Sequence, residues 1–146
     1  MTSPRTEVLE ALRQYAVRYQ ESAHELARWM GLPTVDGTAL GEIVWAEREQ
    51  APLSPSRLAA RVGLTTGATN ALLTRLESRG LVERSRESSD RRLVTVRSTD
   101  AAQERLEPFL ARSAAELAGV LDDYDDAALE LIRGFLGRMS KVLPSG

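Results

Sequence analysis

Residues 53–98 read LSPSRLAARVGLTTGATNALLTRLESRGLVERSRESSDRRLVTVRS, and the fold follows from how this stretch is punctuated. Ser54 can accept from the free amides at a helix start. Pro55 suits the first helical position, where its missing N–H would have no partner anyway, and Leu53 is spaced to staple onto Leu58. A short helix turning Leu58, Ala59 and Val62 inward then stops at Gly63, which takes a left-handed cap without steric cost. Thr65 caps a second helix, Thr66 to Arg79, whose expected inner face is Ala68, Leu72 and Leu76, and Gly80 closes it. Two helices across a short glycine turn are a helix-turn-helix. Past Gly80 the period changes to that of strands. Leu81–Ser85 and Leu93–Arg97 are short and rich in β-branched residues, with the polar run Arg86–Arg92 between them, so they predict a β-hairpin with a long charged tip. A helix-turn-helix followed by a hairpin is a winged helix, and the chain as a whole reads as mainly α with a small β-hairpin wing.

The flanks are helical. Val8, Leu12, Tyr15, Tyr19, Ala23, Leu26 and Met30 recur every three or four residues, which predicts an amphipathic helix from Pro4 to Met30, capped by Ser3 and ended by Gly31-Leu32-Pro33. A second helix is expected over Asp36–Gln50, with Leu40, Ile43 and Val44 inward and Trp45 beside them. After the hairpin, Thr99 or Asp100 starts a long helix carrying Leu106, Leu110, Ala114, Leu117 and Leu121, with a kink expected between Glu104 and Pro108. Asp125 caps a last helix with Leu129, Ile132, Leu136, Met139 and Leu143 along one stripe. The organisation read from this is an N-terminal dimerisation helix over residues 1–35, a winged helix-turn-helix over 36–98 and C-terminal dimerisation helices over 99–146. One small monomer cannot cover stripes that run the full length of helices on both sides of a winged helix. A second copy of the chain, related by a two-fold axis, is the expected cover. The alternative is a monomer with a larger core.

A length of 146 residues, 42% apolar and 27% charged, fits one ordinary domain with a core of its own. The absence of cysteine excludes disulfides, thiolate metal sites and thiol-based peroxide sensing. No apolar run approaches a membrane span, and Arg5, Glu7, Glu10 and Arg13 stand where a signal peptide would be apolar, so a cytoplasmic location is expected. The net charge of −2 hides an uneven distribution. Residues 53–98 hold nine arginines against four acids, while the flanks hold 10 basic and 17 acidic residues. A basic middle between acidic ends suits a module that meets phosphate. Eighteen of the nineteen basic residues are arginine, so forked contacts are available throughout.

On the second helix of the motif, Thr66, Gly67, Thr69, Asn70 and Thr74 are expected to project outward, every one small or polar. The major groove of B-DNA admits a helix, where Asn can pair with adenine through two hydrogen bonds and a Thr methyl can touch the thymine methyl. Gly67 leaves room for close approach. Arg75, with Arg79 one turn on, is placed for phosphate contacts that fix register. On the hairpin, Arg84, Arg86, Arg91 and Arg92 surround Ser88-Ser89-Asp90, and an arginine there could enter the adjacent minor groove. Phosphate would repel Asp90, so its expected task is to hold a neighbouring arginine in one rotamer.

Leu53–Ala59, Gly67–Glu77, Gly80–Arg84 and Asp90-Arg91-Arg92 before Val94-Thr95-Val96 resemble the MarR-type winged helix-turn-helix transcription regulators, over nearly the whole chain in order and length. The resemblance implies base-contact positions at Thr66, Thr69 and Asn70, a wing motif at Asp90 and Arg92, intertwined terminal helices, and paired half-sites about one helical turn apart. The Glu87-Ser88-Ser89 tip departs from the Pro, Gly or Asn often found there. The resemblance further implies a task as repressor on a palindromic operator, released by a small aromatic ligand between the dimer helices and the winged helix; Tyr15, Tyr19, His24 and Trp45 are the candidate lining, with Trp29 and Met30 nearby. The DNA-contact set is Thr65, Thr66, Gly67, Thr69, Asn70, Thr74 and Arg75 on the helix, and Arg86, Ser88, Asp90, Arg91 and Arg92 on the wing. No cofactor, metal or catalytic residue is expected. One histidine without cysteine builds no dedicated metal site, and the Asp122, Asp123, Asp125 and Asp126 cluster sits at a helix boundary, where capping and the dipole favour acids. The competing readings are a winged helix that binds another protein, and an enzyme with a winged-helix dimerisation domain, for which 146 residues leave no room.

Overall fold

All but one of the helix starts in this chain are made by side chains that accept from the free amides of the first turn, and they set the element boundaries. The computed structural model describes residues 1–90 and 92–144. Its elements are α1 (Pro4–Met30), α2 (Thr34–Arg48), α3 (Pro55–Val62), α4 (Thr66–Ser78), β1 (Val82–Ser85), β2 (Thr95–Ser98), α5 (Asp100–Leu121) and α6 (Asp126–Val142). Ser3, Ser54, Thr65 and Asp125 each accept from a backbone amide three residues on, as their positions predict. Gly31 and Gly63 close α1 and α3 in the left-handed conformation, at φ 67° and 69°.

The helices and hairpin of a winged helix-turn-helix are present in the predicted order. Several boundaries differ. α2 begins at Thr34, directly after Pro33 and without a side-chain cap, two residues before the expected Asp36. It ends at Arg48, short of the expected Gln50, which instead takes φ 60° just beyond the helix. The strands start late, at Val82 and Thr95. Leu81 donates from its amide to Leu76 O in the turn that closes α4, and the Leu93 amide is drawn back to Asp90 O.

The chain divides into two compact units, Met1–Leu106 and Glu107–Gly146. α5 starts in the first and ends in the second, an unbroken helix through Pro108, and the division falls beside that proline. In the first unit, Leu26 and Met30 of α1, Leu40, Ile43 and Val44 of α2, Leu58 of α3, Leu72, Leu73 and Leu76 of α4, and Leu81, Val82 and Val96 of the hairpin are buried together with Leu106. α1 and α2 meet backbone to backbone. A Cβ on Gly37 would lie 2.4 Å from Ala27 Cβ, a distance that no pair of non-bonded carbons sustains. Trp29 Nε1 donates to Arg105 O at 2.7 Å while the Arg105 guanidinium donates to Met30 O at 3.0 Å, which latches the start of α5 onto the end of α1.

In the second unit, α6 has no buried residue, and Leu117, Leu121, Leu131, Phe135, Leu136 and Val142 are all exposed. No helix among the described residues is long and apolar enough to cross a membrane.

Candidate nucleic-acid interface

The hairpin is antiparallel, pairing Val82 with Ser98 and Ser85 with Thr95. Its root is fastened on three sides. The Val96 amide donates to Leu53 O at 2.8 Å, ahead of α3; Thr99 donates from its amide to Leu81 O and from Oγ1 to Gly80 O, at the end of α4; and Glu47 of α2 accepts from the Ser98 amide and from Ser98 Oγ. The wing is therefore fixed relative to α4 by hydrogen bonds at its root, and Arg86, Glu87, Ser88, Ser89 and Arg92 beyond them are exposed.

The outer face of α4 differs in part from expectation. Thr65, Thr66, Gly67, Asn70 and Thr74 are exposed. Thr69 is not; at 1% exposure it lies inside, and Ala68, expected inward, is on the surface. The buried stripe is Thr69, Leu72, Leu73 and Leu76, one residue round from Ala68, Leu72 and Leu76. Thr69 is tolerated there because its Oγ1 donates to Thr65 O at 2.9 Å, so no polar atom is left unpaired. This removes Thr69 from the base-contact set.

Arg75 also differs. Its Nε and Nη2 donate to the two carboxylate oxygens of Asp36 at 3.1 and 2.8 Å, and Asp36 is completely buried. The two-pronged bond raises the Arg75 pKa and clamps α4 to the first turn of α2. A guanidinium committed in this way positions the helix, while the Arg75 side chain stays half exposed. Arg79 likewise donates to Gly31 O, at 3.3 Å.

On the wing, Asp90 does what its charge requires. Its carboxylate accepts from the Arg92 amide, from Arg92 Nε and from Nη2, at 3.0 to 3.1 Å, and the Arg92 guanidinium holds it below the ordinary carboxylate range. The Arg92 side chain stays 90% exposed, so it is oriented and available together. Ser88 Oγ accepts from the Asp90 amide and shapes the tip, while Glu87 grips Arg97 through two bonds at 2.6 and 2.9 Å. Arg86 is exposed, and Arg91 lies outside the described residues.

Arg84 turns away from the tip. It donates to Thr74 Oγ1 at 3.2 Å and to Asn70 Oδ1 at 3.4 Å, and it pairs with Glu77 at 2.5 Å. Sequence reasoning placed it among the projecting arginines and did not single out Asp36 or Glu77. The strand period held the signal for Arg84, since it stands two residues from the buried Val82 and so on the same face of β1.

The expected effector residues lie on the surface of the chain. Tyr15, Tyr19, His24 and Trp45 are all exposed, with the Tyr15 and Tyr19 rings 6.4 Å apart. Partial burial, helped by Glu42, raises the Tyr19 pKa. Among the described residues no three His, Cys, Asp or Glu side chains gather as a metal site.

Residues 42–94 match the MarR family. The chain is similar to two proteins of Bacillus subtilis (strain 168). It is 28% identical to the uncharacterized HTH-type transcriptional regulator YcgE over 95 residues, which cover 65% of this chain and 62% of YcgE. It is 31% identical to the HTH-type transcriptional repressor YetL over 91 residues, which cover 62% of this chain and 54% of YetL. The chain thus spans less than two thirds of either relative. Among solved structures, the MepR protein of an S. aureus MepR–DNA complex has the same fold, with a TM-score of 0.66 over 97% of this chain and 100% of that one at 17% identity.

Proposed function

We propose that the chain, which matches the MarR family over residues 42–94, is a sequence-specific DNA-binding transcriptional regulator, a repressor, acting as a homodimer on a palindromic operator. One observation carries the reading: an exposed α4 face of Thr66, Gly67, Asn70 and Thr74 stands beside a wing whose Arg92 is held by Asp90 yet 90% exposed. The helix face has the size and chemistry of a major-groove reader, and the wing arginine that of a minor-groove probe. Repression is the activity named for YetL. The second subunit is argued from α6, an amphipathic helix without one buried residue, and from the exposed Val8, Tyr15 and Tyr19 of α1. Tyr15, Tyr19, His24 and Trp45 form an open surface in one chain, so an aromatic effector is enclosed there only once a second copy covers it.

The test is titration of a palindromic, A·T-containing duplex at two salt concentrations with wild type and Arg92→Ala. Binding should fall steeply with salt. Loss of one phosphate or groove contact per subunit should lower the log–log slope by roughly two for the dimer. Binding insensitive to salt and to Arg92→Ala would favour a winged helix that engages protein instead.

A further inference from the structure

We infer that Arg84 sets the base preference of α4 by holding the Asn70 carboxamide with its oxygen turned to the guanidinium and its NH2 toward the groove, so that Asn70 reads a keto base, guanine or thymine, rather than adenine. The inference rests on the DNA-binding reading above and names what that surface selects.

The side chains form a closed chain of donors and acceptors along one stripe of α4. Thr74 Oγ1 donates to Asn70 O at 3.0 Å, so its proton is committed and its lone pair accepts from Arg84 at 3.2 Å. Glu77, one turn further, anchors the same guanidinium at 2.5 Å. The third partner is Asn70 Oδ1 at 3.4 Å. A guanidinium donates and never accepts, so a flipped amide would set N–H against N–H. That fixes which end of the amide faces Arg84.

Pairing with adenine through two bonds needs Asn70 Oδ1 to take a second donor, the adenine amino group, beside a cation that already claims the oxygen. The oxygen has a second lone pair, but the adenine amino group would meet it beside a cation, where the acceptor is weakened and the amino hydrogens are repelled. Guanine presents N7 and O6, and thymine O4, all acceptors, to a patch whose available groups are the Asn70 NH2 and the edge of the Arg84 guanidinium. By residue type alone an asparagine suits adenine; the Arg84 beside this one shifts the choice to a keto base.

The experiment is selection from a pool of randomised duplexes at one salt concentration with wild type, Asn70→Ala, Asn70→Asp and Arg84→Met, each first shown to be folded by circular dichroism. In the wild-type pool, the operator position whose preference Asn70→Ala erases should be guanine or thymine. Arg84→Met should admit adenine there, raising its share over the keto bases roughly five- to tenfold, the scale of one base contact. Asn70→Asp keeps the shape and the partner but has no donor, so it should lose the keto preference; it settles the matter if Arg84→Met does not fold. Adenine at that position in wild type, a preference unchanged in Arg84→Met, a keto preference retained by Asn70→Asp, or no position responding to Asn70→Ala would overturn the inference and leave the regulator reading standing. A wild-type pool with no enriched sequence would overturn both.

Discussion

Replacing Gly67 by Ala should make the protein more stable and a worse DNA binder. Gly67 is the second residue of α4, and a Cβ built on it has no atom within 4 Å, so a methyl group meets nothing in the chain. Glycine in a helix costs about 0.5–1 kcal/mol relative to alanine, chiefly in backbone entropy, and the substitution recovers that amount. For a chain of this size the gain corresponds to roughly 1–4 °C in Tm. The same methyl stands on the face that the proposal lays against DNA, beside Thr66 and Asn70. Keeping the duplex at a greater distance there should weaken binding about tenfold, or about 1.4 kcal/mol. The two readouts are a thermal melt by circular dichroism and fluorescence anisotropy with a duplex taken from the enriched pool. A raised Tm with unchanged affinity would refute the placement of this face against DNA, and a lowered Tm would refute the open surroundings of Gly67.

The same substitution at Gly37 should do the opposite, because its methyl would meet Ala27 Cβ at 2.4 Å and Ala27 Cα at 2.6 Å. Backbone cannot swing aside as a side chain does, so a loss of about 1–3 kcal/mol or more is expected in chemical denaturation. Arg75→Met leaves the buried Asp36 carboxylate without its partner and should lower the Tm, and the double variant with Asp36→Leu should restore part of that loss, as a double-mutant cycle will show. The wing should loosen in acid. Arg97 holds Glu87 below its ordinary 4.5, and Arg92 holds Asp90 below its ordinary 3.8. The order these pairs give the wing is therefore complete above those values and lost as pH falls through the lower, folded ones. Amide NMR of Arg92, whose N–H donates to Asp90, should titrate with a midpoint below 3.8; a midpoint at 3.8 or above would mean the pair does not form in solution.

The capping logic of the sequence carried most of the fold. Ser3, Ser54, Thr65 and Asp125 announce helices because a short polar side chain before an apolar period satisfies free amides, and that chemistry is local. α2 escaped it, since Pro33 offers no cap and Asp36, which resembles one, is instead buried beneath Arg75, 39 residues away. A long-range ion pair has no period to reveal it. The inner stripe of α4 was misplaced by one residue for a related reason. Ala68 and Thr69 are both small, and polarity argued for Thr69 outside; its hydroxyl, satisfied by Thr65 O, removes that argument. In the candidate site, the pairing of Asp90 with Arg92 was legible because only two positions separate them. The reach of Arg84 across to Asn70, Thr74 and Glu77 depends on how β1 lies against α4, which is decided by packing and not by spacing.

The central claim, that two copies present a pair of recognition helices to one duplex, is tested most directly by hydroxyl-radical footprinting of wild-type protein on an enriched duplex. Two protected tracts related by the dyad of the site, with centres roughly one helical turn apart, are predicted. A single protected tract, or none at concentrations that saturate binding, would contradict it.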